Sequence, residues 1–480
     1  MELSEILSSI GSIVWGPVMS GLLVGTGIYL TIRLRFVQIL YLKHAIKCIS
    51  GVYDNPDEEG DISHFKALCA ALSATIVTGN IAGVGTAIAV GGPGAVFWMW
   101  ITAIFGMATK FTSCSLALHY REINKDGSSA GGPMYYLEKG FAPQWLTALG
   151  GEIRTKRWAI TLAMSFAILA LIASFGIGNM VQANSVVDGL KYVMPDSWSE
   201  PGFSLFGFQI SYFSLSIGLI LACMVAMVIL GGIKRIANVA SKLVPGMSVI
   251  YVLGALIILF LNIDGIANAF ALIFKHAFTP FAAGGGVAGI AVMTAIKQGV
   301  ARGVFSNESG LGSAPMAHAA AKTQEVAREG FVAMLGPLID TLIICTMTAL
   351  VIIVTGASTS GMTSSSLTAH AFDLGLFGFG HHIVGFGLML FAYSTMISWS
   401  YYGDRCAQYI FGSWAIPFYR VLFVLLIVVG AVGGLQMIWA IADIMNACMA
   451  IPNLIGLLAL GGVAAAYTKN YIQRLEKGEF

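Results

Sequence analysis

Residues 72–94 read LSATIVTGNIAGVGTAIAVGGPG. The run is long enough to cross a ~30 Å hydrocarbon layer as a helix. Yet Ser73, Thr75, Thr78 and Asn80 stand among Gly79, Gly83 and Gly85, and each glycine costs about 1 kcal/mol in a helix interior relative to alanine. Two accounts fit this texture. Small residues let membrane helices pack closely; a helix broken at glycine instead frees carbonyls to ligate a cation and amides to hold a carboxylate. The texture recurs at residues 294–312, TAIKQGVARGVFSNESGLG, where Gly299, Gly303 and Gly310 surround Gln298, Ser306, Asn307 and Glu308. Uncompensated polar groups are costly away from water, so the recurrence favours a binding role.

Composition sets the medium in which these stretches fold. Of 480 residues, 57% are hydrophobic and only 10% charged, with a mean hydropathy of +0.81, so the chain has too little polar surface for a soluble globule. The net charge of +2 and the scattered Lys and Arg give no nucleic-acid footprint. Seven cysteines, at 48, 69, 114, 223, 345, 406 and 448, stand singly without CxxC spacing or histidine clusters, which indicates neither a disulfide framework nor a transition-metal site. The N-terminal MELSEILSSI has two acids and no basic residue before the first apolar run, unlike a cleaved signal peptide, and reads as a retained span.

Apolar runs delimited by glycine, proline and charge predict an all-α polytopic membrane protein of eleven transmembrane helices: spans 1 to 11 at 8–32, 65–90, 94–120, 157–182, 206–230, 241–263, 283–311, 330–356, 382–402, 414–435 and 438–467. Loops 33–66, 121–157, 231–242 and 312–329, the turn near Arg405 and the tail carry nearly all Lys and Arg, whereas 183–205, 264–282 and 357–381 carry Lys191 and Lys275. The positive-inside rule then puts the N-terminus outside and the C-terminus in the cytoplasm. The two glycine-interrupted stretches lie in spans 2 and 7, five spans apart. Five is odd, so spans 7–11 run opposite to spans 2–6, the layout of inverted repeats with a binding site where the two breaks meet. One membrane transporter domain over 1–480 follows: an extra N-terminal helix and cytoplasmic loop at 1–64, repeats at 65–263 and 283–467, and a cytoplasmic tail at 468–480.

Six segments carry a resemblance to a known family. GVFSNESGLGSAPMAHAAA (303–321), TGNIAGVGTAIA (78–89), GGPGAVFWMW (91–100), GGPMYYLEKG (131–140), STMISWSYYGDR (394–405) and ADIMNACMAIPN (442–453) resemble, in order, the signatures of the alanine/glycine:cation symporters. Ser309 stands where that family usually has alanine. The resemblance implies a LeuT-type five-plus-five inverted repeat with one extra N-terminal helix, in a prokaryotic plasma membrane, importing alanine or glycine with Na⁺ or H⁺ and using no other cofactor.

On that reading the substrate lies among Thr78, Gly79 and Asn80 of span 2, Gln298, Gly299, Phe305 and Asn307 of span 7, and Thr395 and Trp399 of span 9. Asn80 is suited to donate to a carboxylate, and Phe305 and Trp399 to cap a small cavity. Thr395 and Trp399 are i, i+4, as are Ser394 and Ser398 on an adjacent line. Thr75, Ser394, Thr395 and Ser398 offer hydroxyl oxygens to a hard monovalent ion. Asp340 and Asp443 sit within apolar spans, where an acid marks either function or a satisfied structural pair. Lys66 and Asp404 are a possible cytoplasmic gate, Asp404 being equally a solvated partner of Arg405. A channel would need a continuous polar lining or a charged ring, and an intramembrane hydrolase a nucleophile–base pair or HExxH motif; neither pattern is present. A cation-coupled transporter of another small solute on the same fold is the alternative.

Overall fold

The computed structural model describes residues 3–141, 152–191, 201–205, 208–279, 288–433 and 436–480. Parts of the expected loops 121–157, 183–205 and 264–282, and the first residues of the expected spans 5, 7 and 11 or their flanks, lie outside the described residues. Apart from two short hairpins, Glu122–Ile123 with Ser129–Ala130 and Pro201–Leu205 with Phe208–Ser211, the regular structure is helical.

Eight helices, and a ninth formed by a bent pair, are long and apolar enough to cross a membrane among the described residues. Span 2 is the pair, His64–Thr75 and Gly79–Gly91, bent by 55°. Span 1 is split: Trp15 and Gly16 separate Leu3–Val14 from Pro17–Arg33, with Pro17 at the first helical position, where its missing N–H costs nothing. Spans 3, 4, 5 and 6 are Gly94–His119, Lys156–Leu190, Tyr212–Ile229 and Gly232–Leu261. Span 7 is Ala288–Asn307, and spans 8 to 11 are Val326–Val354, Gly380–Phe411, Ala415–Val432 and Ala440–Glu476. Span 5 starts later than expected because the hairpin precedes it. Span 6 starts earlier, because Lys234 and Arg235, taken as loop, lie on its first turn. Two expected loops contain helices, Ile263–Phe278 and Ser364–Gly375.

Burial separates scaffold from lipid face. Spans 3 and 9 are mostly buried, down to Phe111 and Phe391. Span 6 instead turns Val249, Ile250, Leu253, Leu256, Ile257 and Phe260 outward, and span 10 exposes Phe418, Val421, Leu422 and Leu425. Exposed apolar stripes on helices of this length face hydrocarbon. Spans 2, 3 and 7 meet through small residues. A Cβ on Gly303 would collide with Thr102 and Met99, one on Gly299 with Ala95 and Trp98, and one on Gly91 would lie 3.2 Å from the Ala295 Cα. Ala295, Gly299 and Gly303 thus form a four-residue stripe that lets the backbones touch.

Candidate functional site

The span 2 break is built by Asn80. Its Oδ1 accepts the Val77 N–H at 2.8 Å, standing in for the carbonyl a continuous helix would offer. Its Nδ2 donates to the Asp340 carboxylate, and to Ser306 Oγ at 3.2 Å. Thr348 Oγ1 donates to the Asn80 carbonyl at 2.9 Å. Asp340 Oδ2 accepts from Ser306 at 2.7 Å and Thr341 at 2.8 Å, so the intramembrane acid is surrounded by donors from spans 2, 7 and 8. Ser306, Asn80 and Asp340 are fully buried.

Span 7 ends at the corresponding depth. Asn307 closes the helix, its Oδ1 accepting the Ser309 N–H at 3.0 Å and its Nδ2 donating to Thr341 at 3.3 Å. Glu308 then takes a left-handed φ of 51°, followed by Gly310 at 93° and Gly312 at 97°. Glycine is needed at the last two, since a Cβ on Gly310 would meet Leu23, and one on Gly312 would meet Phe166. Glu308 accepts from the Ser313 hydroxyl.

Span 9 brings hydroxyls to the His64–Thr75 segment of span 2. The Ser73 carbonyl accepts both Ser394 Oγ and Thr395 Oγ1 at 3.2 Å, and Ser73 Oγ donates to the Ser394 carbonyl at 2.6 Å. Thr75 Oγ1 lies 3.4 Å from the Ala71 and Leu72 carbonyls. Ser398 Oγ is buried with no hydrogen-bond partner among the described residues. A hydroxyl that donates to a carbonyl keeps its lone pairs, so the group can still offer oxygens to a cation.

A cavity of about 450 Å³ lies above the break. Thr78, Gly79 and Phe305 line it, with Arg302 and Asp443, and its lining reaches Thr86, Asp188, Ser364 and Ser365 on the side away from the basic loops. Gln298 lines a neighbouring cavity of about 360 Å³, shared with Phe305, Arg302 and Asp443. Asn80, Asn307, Thr395 and Trp399 do not line either. Gly299 faces span 3 and Trp399 packs on Gly178 of span 4, where a methyl group would overlap its ring; its centroid is 5.5 Å from that of Tyr402.

On the face with the basic loops, polar side chains pair between elements. Asp404 is held by Arg420 of span 10, through Nε at 2.9 Å and Nη2 at 2.5 Å, while Lys66 donates to Asn238 at 2.6 Å. In this conformation Lys66 and Asp404 therefore hold separate partners, a tighter bidentate site for Asp404 having been supplied by a guanidinium. Arg121 binds the carbonyls of Glu59, Ala319, Ala321 and Thr323. Glu329 of span 8 links His64 of span 2 and His318 below span 7, each through Nδ1. Sequence reading missed these three groups, because His64 and His318 stand at the edges of apolar runs and Glu329 was assigned to a loop. An acid flanked by two distant histidines carries no spacing signal.

Comparison with known proteins gives the same picture. A model of the sodium:alanine symporter family matches residues 1–480. The sodium/alanine symporter AgcS of Methanococcus maripaludis is 48% identical over 475 residues, 98% of each chain. The probable sodium/glutamine symporter GlnT of Bacillus subtilis is 35% identical over 480 residues, 99% of this chain and 92% of its own. MhsT, in a crystal structure with L-phenylalanine, superposes with a TM-score of 0.52 at 15% identity, covering 85% of this chain and 98% of its own, which shows the LeuT-type fold alone. With matches over the full length, the chain belongs to the sodium:alanine symporter family, whose members are cation-coupled transporters of amino acids rather than enzymes.

Proposed function

We propose that the chain imports a small neutral amino acid, alanine or glycine, together with Na⁺. The observation that carries this reading is the cavity of about 450 Å³ that ends at Thr78, Gly79 and Phe305, at the bend of span 2. The helix restarts at Gly79 after Thr78; the Asn80 N–H already donates to the Val77 carbonyl at 3.1 Å, and the remaining first-turn N–H groups at this helix start suit a carboxylate. Asn80 supports them from behind, its own amide being engaged by Asp340 and Ser306. The cation belongs with Thr75, Ser394, Thr395, Ser398 and the Ser73 carbonyl, an all-oxygen set suited to a hard ion. Repeats 65–263 and 283–467 rock about these sites, with the basic loops cytoplasmic and the cavity open to the outside. Binding of either solute raises affinity for the other by the same factor.

Counterflow in proteoliposomes tests it. Labelled alanine and glycine should exchange in Na⁺ and not in K⁺, with Thr395→Val or Ser398→Ala shifting the Na⁺ dependence more than the alanine affinity at saturating Na⁺. Exchange driven by a pH gradient without Na⁺ would assign the coupling to H⁺. Exchange of glutamine in preference to both labelled amino acids would overturn the substrate.

A further inference from the structure

Span 1 ends beside span 11 at a cavity of about 530 Å³, remote from the transport site and lined by Arg33, Arg35 and Lys469. We propose that this cavity binds the phosphodiester headgroup of one anionic phospholipid, with its acyl chains lying along the exposed apolar edge of span 1.

Three cations converge here against one carboxylate, Glu476, whose Oε1 accepts the Tyr41 hydroxyl at 3.3 Å. No ion pair joins Arg33, Arg35 or Lys469 to any acid among the described residues. The cavity is built for the charges rather than incidental to them. Arg33 Nη1 donates to the Tyr29 hydroxyl at 2.8 Å, and its guanidinium lies across Gly462 of span 11, Nη2 standing 2.7 Å from where a Cβ would be. Arg35 and Phe36 both take left-handed φ, 56° and 58°. Non-glycine residues occupy that region rarely and at a cost. Here the turn places Arg35 on the cavity wall.

The surroundings select a lipid over a free anion. Arg33 is the last residue of the span 1 helix Pro17–Arg33, and Ile32, Ile39 and Leu40 beside it are 60% or more exposed, Leu40 lining the cavity itself. A ligand that satisfies both surfaces has a phosphate attached to hydrocarbon. With a surplus of positive charge, a headgroup carrying a single negative charge fits and the quaternary amine of phosphatidylcholine does not. Basic pockets between membrane helices bind anionic headgroups on these terms.

Native mass spectrometry of the full-length protein, titrated with phosphatidylglycerol or phosphatidylcholine, tests the assignment. The wild type should retain one phosphatidylglycerol in preference to phosphatidylcholine. Arg35→Gln with Lys469→Gln should lose it, at about fivefold in affinity for each cation removed. Lys469→Gln alone, at an exposed position, should weaken binding about fivefold even if the double variant fails to fold, and Lys469→Arg should retain the lipid. Equal retention of the two lipids, unchanged phosphatidylglycerol affinity in the variants, or displacement of the lipid by millimolar inorganic phosphate would overturn the proposal.

Discussion

Phe305 is the only aromatic side chain lining the main cavity among the described residues, and its Cδ1 would stand 3.2 Å from a Cβ on Gly79. In the proposed substrate site its bulk would set the size limit beside the bend. Phe305→Ala is expected to admit valine and leucine as competitors of alanine, because exclusion by clash can exceed the roughly 1–3 kcal/mol at stake per methylene in an attractive pocket. Competition binding against amino acids of increasing size checks this; no gain for the larger ones would move the size limit to the backbone. Trp399 differs. Fully buried against Gly178, it is expected on truncation to alanine to cost about 3–5 kcal/mol of stability, read as a fall in the thermal midpoint in detergent, without new substrates. The sequence reading put both aromatics at a substrate site between spans 2, 7 and 9, but only Phe305 lines the cavity. The glycine that receives Trp399 lies in span 4, over 200 positions away, and no local pattern joins them.

At the scale of elements, helix ends on the basic face are fastened by one carboxylate. Glu329 bridges His64 and His318, with all three side chains buried. Glu329→Leu is expected to destabilise the protein by about 3–5 kcal/mol, because two imidazoles lose their acceptor in a low-dielectric site. Glu329→Gln, which keeps an acceptor oxygen, should cost less. Thermal unfolding of the two variants measures the difference, and equal midpoints would remove the bridge from the ledger of interactions that matter. The spans themselves were legible because length and hydropathy suffice for a lipid-crossing helix. The helices Ile263–Phe278 and Ser364–Gly375 were not, because each is shorter than a crossing and was bounded by the charge and glycine that also mark loops.

Across the whole molecule, the cavity lies at the span 2 bend, and the Asp404–Arg420 pair joins spans 9 and 10 on the face with the basic loops. Asp404, buried, pairs with the partly exposed Arg420 between spans 9 and 10, and Cys406 lies two residues along, fully buried; if this pair holds the face shut, breaking it should expose that thiol. Asp404→Asn should speed maleimide labelling of Cys406, in a background where the exposed Cys223 is replaced by serine. An unchanged labelling rate would show that this pair does not hold the face shut. The opposed repeats could be proposed from span counting, since the glycine breaks recur at an odd interval. Where the cavity lies could not, because its lining at Thr78 and Phe305 and pairs such as Asp404–Arg420 come together only in the packing. The bend in span 2 has a mechanical consequence. Below it, the Ile76 N–H belongs to the Leu72 carbonyl, and Ser73 is bound to span 9. Above it, the Val77 N–H belongs to Asn80, which is bound to span 8, while Ile81 accepts from Thr368. The peptide between Ile76 and Val77 is thus the one joint between a segment tied to span 9 and a segment tied to Thr348 and Thr368, and on the proposed reading of the two sites a cation bound at the first would reach a solute bound at the second by turning that joint.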